Sequence, residues 1–187
     1  AKPNVPETSG TNPIDRFVRH KLSAQGLQPS PVADRRTLAR RLYFDLTGLP
    51  PTPAEITAFV NDQEAQAYDK LVTKLLASPR YGEHWGRHWL DVVHYADTHG
   101  NDHDHVRPNA WPYRDYVIRS LNEDKPYPRF IQEQIAGDAL FPDEPQATAA
   151  LGFLAAGPWD HTLLVVVRED TIDHQIARHL DRDNMLS

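Results

Sequence analysis

The stretch Asp97-Thr98-His99-Gly100-Asn101-Asp102-His103-Asp104-His105 packs three histidines and three aspartates into nine residues, with His94 just upstream. No other part of the chain concentrates as much ligating and acid–base chemistry. Imidazoles and carboxylates at such spacing can share a metal ion or pass protons. His99, Asp102, His103 and His105 are the leading metal candidates, and that ligand set suits Zn, Mn, Fe or Ni better than Ca. An EF-hand is excluded, because it needs acids at alternate positions and a distant bidentate Glu. The plainer alternative is a polar loop whose side chains cap backbone groups and meet arginines.

Three other groups carry the same ambiguity. His84 and His88 stand at i and i+4 with Asp91 one turn on, a metal-compatible spacing. It is not the zincin motif, because Trp85 occupies the place of that motif's glutamate. The competing reading is a partly buried histidine flanked by tryptophans and bonded to an acid. In Gly157-Pro158-Trp159-Asp160-His161, Asp160 and His161 are candidates for proton transfer, or else Trp159 simply anchors a turn. Asp170, His174, Arg178 and Asp181 form a polar stripe near the C-terminus. An ion-pair ladder explains that stripe; if buried, it would face the loop histidines, and His174 would join the catalytic candidates. Arg114-Asp115, after Trp111-Pro112-Tyr113, reads as structural. There is no Gly-rich phosphate loop, no G-x-S-x-G elbow and no basic-aromatic track for single-stranded nucleic acid.

The elements that must position these residues are helical. Residues 1–12 are polar and rich in Pro and Gly, and predict an extended arm. Asn12 as N-cap and Pro13 at the first position open a helix with an apolar stripe of Ile14, Phe17, Val18 and Leu22, stopped near Gly26. A second helix is expected from about Asp34 to Thr47, with Leu38, Leu42 and Leu46 on one face and Gly48 as terminator. Thr52-Pro53-Ala54-Glu55 is a capping box for a third through Phe59. The segment Ala65 to Ala77 reads as a fourth, with Tyr68, Leu71, Leu75 and Leu76 inward. The fifth, about Tyr81 to Ala96, shows two stripes: Trp85, Trp89, Val92 and Ala96, then His84, His88, Asp91 and Tyr95. Further helices are expected over Trp111–Leu121, Arg129–Ala136 and Gln146–Ala155. Leu163–Val167 reads as a short strand or buried extended piece, and a last helix runs from about Arg168 with Ile172, Ile176 and Leu180 buried. The fold expected is all-α, a compact bundle-like array of about eight helices with Pro-rich ordered loops. Residues 13–187 are expected to form a single helical domain.

The 187 residues can bury a sizeable core. A formal charge of -6 argues against a broad nucleic-acid-binding surface. No apolar run reaches the roughly 18 residues of a membrane span. With no cysteine, this chain can form no disulfide, zinc–thiolate site or thiol nucleophile, and haem c cannot be attached to it. The missing initiator Met and the last helix without a Gly or Pro stop lead to the expectation that the chain is a piece of a larger natural protein, cut at its C-terminal end.

Asn12-Pro13-Ile14-Asp15-Arg16-Phe17, then Arg40 to Thr52 (RRLYFDLTGLPPT), resembles a domain of unknown function in planctomycete cytochrome c-type proteins. So do Leu76 to Glu83, His88 to Asp91, Tyr95 to Asp97, Arg107 to Asp115 and Gln134 to Asp138. The resemblance covers nearly the whole chain after residue 12 and implies a large bacterial envelope protein, periplasmic or at the cell surface. The partners it implies are the remainder of that multidomain protein, including a haem-bearing segment beyond the point where this chain stops. It transfers no catalytic residue. The leading expectation is a redox or electron-transfer role, with the His/Asp loop near a metal or the haem. The alternatives are a metal-dependent hydrolase or lyase acting on an extracellular polymer, with His99, His103, His105, Asp160 and His161 around the ion, and a non-catalytic assembly domain.

Overall fold

The computed structural model describes residues 3–8, 10, 12–99, 104–157, 172 and 175. Its contacts fall into two units, residues 1–38 and 39–187. The first unit contains α1 (Pro13–Ala24), capped by the Asn12 side chain, which accepts from the Asp15 N–H at 2.9 Å. None of its residues is buried; Ile14 is 74% and Val18 53% exposed, so the apolar stripe is real but uncovered. Asp34 then accepts from the Thr37 N–H at 2.9 Å and starts α2 (Arg35–Thr47).

In the second unit α2 continues and leads to α3 (Pro53–Asn61), α4 (Ala67–Leu76) and α5 (Pro79–Val92). Then come α6 (Trp111–Asn122), α7 (Tyr127–Leu140), α8 (Pro145–Ala150) and a 3-10 turn, Leu151–Ala155. The all-α, bundle-like fold thus holds, with eight α-helices among the described residues. The capping box forms as expected: Thr52 and Glu55 bond reciprocally and open α3. Gly48 ends α2 at φ +70°, and a Cβ there would also run into the His84 imidazole, so both the turn and the packing demand glycine.

The buried faces differ from the expected stripes by about one residue. On α2 the buried set is Ala39, Tyr43 and Thr47, flanked by half-buried Leu38, Leu42 and Leu46. On α4 Leu71 and Leu75 are buried, whereas Tyr68 and Leu76 are exposed. On α5 Trp85 and Val92 are exposed and the buried residues are Gly82 and Gly86. The reason is backbone proximity: a Cβ at Gly82 would meet the Ile118 carbonyl oxygen and, at 2.7 Å, the Asn122 side chain. Two glycines one turn apart let α5 lie directly on α6, and Gly82 N–H donates to Asn122 Oδ1 at 2.8 Å. Helix α5 also ends earlier than expected. His94 takes a left-handed φ of +52° and the Tyr95 N–H returns to Leu90 O at 2.9 Å, closing the helix at Val92. Tyr95 and Ala96 therefore belong to the loop.

The core gathers Tyr113, Tyr116, Val117, Phe130, Ala150 and Ala156, with Trp89 and Leu90 against it. Tyr116 and Phe130 stack with centroids 5.8 Å apart, and Trp89 meets Phe130 edge-on at 5.0 Å. Helix α7 breaks its helical dihedrals at Ala136, and Gly137 lets the Ala147 carbonyl approach. Ile172, expected on a buried face, is 74% exposed. The strand expected over residues 163–167 and the body of the last helix lie outside the described residues.

Candidate functional site

The His/Asp stretch leaves α5 through the His94 turn, and its described ends, residues 97–99 and 105–107, pair antiparallel as the base of a hairpin before α6. Thr98 bridges Val106, the His99 N–H donates to His105 O at 2.9 Å, and the Arg107 N–H donates to Asp97 O at 2.8 Å. In this register residue 97 pairs with 107 and 99 with 105. Directly opposed residues of an antiparallel pair project to the same face, and alternate residues share that face. Asp97, His99, His105 and Arg107 therefore lie on one face of the hairpin base, with Thr98 and Val106 on the other. Asp102 and His103 lie outside the described residues.

Arg107 fastens this base. Its Nη1 donates to the carbonyls of Ala96 at 3.1 Å, Ala156 at 2.9 Å and Gly157 at 3.0 Å, and its Nη2 donates to Ala155 O. The acceptors at 155–157 sit at the end of the 3-10 turn, where helical carbonyls lack partners and a cation is favoured. Burial lowers the guanidinium's pKa, while Tyr95 and Asp97 oppose that shift. Ala96 N–H adds a bond to Ala156 O at 3.1 Å. The Tyr95 hydroxyl donates to Asp97 Oδ1 at 2.6 Å; burial first, then that carboxylate, pushes Tyr95 up to about 12. Arg114 lies 3.9 Å from Asp97 and pairs with Asp115 at 3.0 Å.

The second histidine group sits on α5. The His84 and His88 rings are 5.7 Å apart and roughly perpendicular. His84 is half-buried against Gly48, while His88 and Asp91 are exposed. Burial, then Arg87 and His88, lower the His84 pKa, against a smaller upward pull from Asp45. Trp85 donates from Nε1 to Asp45 O at 3.1 Å, so this corner secures the end of α2. Among the described residues no three or more of His, Asp and Glu gather in a way that could hold a metal ion, so His84, His88 and Asp91 do not converge as a ligand set. Asp160, His161 and His174 lie outside the described residues.

Two polar centres escaped the sequence reading. Glu133 of α7 is 2% exposed. Its carboxylate accepts from Tyr116 Oη at 2.8 Å, Lys125 Nζ at 2.6 Å and Arg129 Nε at 2.5 Å. Burial pushes its pKa up, but these three donors outweigh burial and leave it below the ordinary carboxylate range. Beside it Gln134, 1% exposed, accepts at Oε1 from Tyr113 Oη at 2.7 Å and Trp89 Nε1 at 3.0 Å. The available signals were Arg129 and Glu133 at i and i+4, and Glu133-Gln134 beside the apolar Phe130 and Ile131.

Fold and site together define an all-α protein that presents a histidine-bearing hairpin between two core helices. The chain belongs to the PSCyt2 family, described as "Protein of unknown function (DUF1549)", whose family model matches residues 13–186. No curated protein and no solved structure matches it. No helix among the described residues is long and apolar enough to cross a membrane.

Proposed function

We propose that this chain is a module of a larger haem-associated protein of the bacterial envelope, with a redox or electron-transfer role, and that its hairpin is a transition-metal or haem-proximal site. One observation carries the reading: the pairing of residues 99 and 105 sets two imidazoles on one face of a base fastened by Arg107. A pair of imidazoles on a fixed backbone fits Zn, Mn or Fe, or an approach to haem iron. The cytochrome label in the family's short name supports the haem context. The haem itself would belong to the rest of the protein, because this chain has no cysteine to attach it.

Titration of the chain with Zn(II) and with Co(II), followed by calorimetry and visible absorption, tests the metal reading. Saturable binding that disappears in the His99→Ala/His105→Ala double variant is expected, and equal binding by that variant overturns it. In the longer natural protein, a Soret band that shifts in the same variant supports the haem-proximal form.

The uncovered apolar stripe of α1 favours a second reading, a non-catalytic assembly role. Ile14, Phe17 and Val18 are exposed along one helix face. Sedimentation of the chain and of Ile14→Lys/Val18→Lys checks it: self-association lost in the variant supports assembly, and a monomer in both cases counts against self-assembly through this face.

A further inference from the structure

A groove of about 430 Å³ between α3 and α4 takes no part in the chemistry above. Its volume falls in the range of about 300–1,000 Å³ that accommodates small organic ligands. The floor is apolar and buried, made by Phe59, Ala67, Leu71 and the ring of Tyr43. The charges are layered. Lys70 and Lys74 stand on the rim with side chains 55% and 64% exposed, whereas Glu55 lies lower at 32% and Asp62 is half-buried. Tyr43 is 6% exposed, and its buried hydroxyl faces the Glu55 carboxylate without closing a well-formed hydrogen bond. A buried hydroxyl left in this state is unusual, and this one borders an opening.

Glu55 is firmly ionised. The Thr52 N–H first, then the neighbouring Tyr43 hydroxyl, hold its carboxyl at about 2. The cation that now answers it is Lys74, whose Nζ is 3.5 Å from Oε1. A well-formed ammonium–carboxylate bond is about 2.7–2.9 Å, so the lysine marks the place of a primary ammonium without filling it well. An exposed pair of this kind is weak and readily displaced.

We propose that this groove binds a small primary amine carried on an apolar, preferably aromatic, body. The ammonium donates to Glu55 and to the Tyr43 oxygen in the place that Lys74 now approaches. The body lies on Phe59 and Leu71, and the rings of Tyr43 and Phe59 also favour a cation. A carboxylate ligand would meet Glu55 and Asp62 once below the lysine rim. The chain's net charge of -6 also favours a cationic visitor. This site is independent of the histidine hairpin.

The test is an amide-resolved NMR titration of the whole chain with phenethylammonium, with 3-phenylpropionate and 2-phenylethanol as charge controls. Saturable shifts confined to α3, α4 and the α2 end are expected for the amine, with the carboxylate weaker by about tenfold or more. Tyr43→Phe is expected to weaken the amine about tenfold while lowering the melting temperature only slightly, because the hydroxyl's contact with Glu55 is poorly formed. Ala58→Phe, at an exposed lining position, is expected to block binding. Equal affinity for the three probes, no saturation by the amine, or a Tyr43→Phe variant that binds the amine unchanged would overturn the proposal.

Discussion

Glu133 and Arg107 are both charged, both drawn away from water, and answered by opposite means. Glu133 is met by side chains, the Tyr116 hydroxyl and the cations of Lys125 and Arg129. Among the described residues Arg107 is hydrogen-bonded by backbone carbonyls, those of Ala96, Ala155, Ala156 and Gly157. The first arrangement ties α6 to α7 with matched charges inside the core. The second ties both ends of the hairpin to the exit of the 3-10 turn through one residue. A charge matched by other charges depends on several specific side chains. A charge matched by carbonyls depends on the path of the backbone, which many sequences can supply. The core clasp thus rests on particular side chains, and the neck clasp on the path of the backbone at residues 96 and 155–157.

The contrast can be broken most forcefully in the core. Glu133→Ala would leave two cations facing a void, and a loss of about 3 kcal/mol in urea unfolding is expected. A loss below that of Arg107→Met would reverse the ranking of the two clasps. Gly82→Ala tests the close contact of α5 with α6, where a Cβ meets the Ile118 carbonyl; overpacking there is expected to cost about 2 kcal/mol. Arg107→Met is expected to cost about 1 kcal/mol globally. Its main effect should be local, seen as faster hydrogen exchange at the amides of His99 and Arg107 while the core amides stay protected.

The smallest effect is acid dependence, which sharpens the comparison rather than breaking it. The folded-state pKa of Glu133 lies below its ordinary value of 4.5. Its stabilisation is therefore present above that value and is lost as pH falls through it towards the folded pKa. Melting temperatures measured from about pH 6 down to about pH 3 should fall less steeply in Glu133→Gln than in the wild type. Arg107→Met should stay closer to the wild-type slope, because the Asp97 carboxylate acts on that guanidinium through charge and not through a hydrogen bond.

The local punctuation was readable from single residues. Asn12, Thr52 with Glu55, and Gly48 end or begin helices where their chemistry requires. The all-α class followed from apolar residues recurring every three or four positions. The inward faces were less legible. Trp85 and Val92 look like core by type, yet Gly82 and Gly86 are what α5 buries. Hydrophobic periodicity counts side chains, and a helix contact made through absent side chains is invisible to it. The end of α5 was misplaced for a related reason: a left-handed histidine carries no glycine to announce the stop.

The candidate site divides in the same way. The His/Asp stretch stands out from composition alone, because seven residues of two ligating types, counting His94, cluster in twelve positions. The pairing of 99 with 105, and Arg107 as its fastener, did not stand out. Backbone carbonyls have no residue type, so nothing at Ala155, Ala156 or Gly157 signals a guanidinium. The burial of Glu133 was hidden likewise, since its donors come from α6, from the turn between α6 and α7, and from α7 itself.

The sequence by itself determined the helical class, the helix caps and the location of the ligating residues, because each rests on local chemistry within a few residues of the chain. Only the tertiary structure decided which faces are buried, which histidines are opposed and which charges are enclosed. Those depend on how closely two backbones can approach and on bonds made between residues as much as 50 apart, as Arg107 with Gly157.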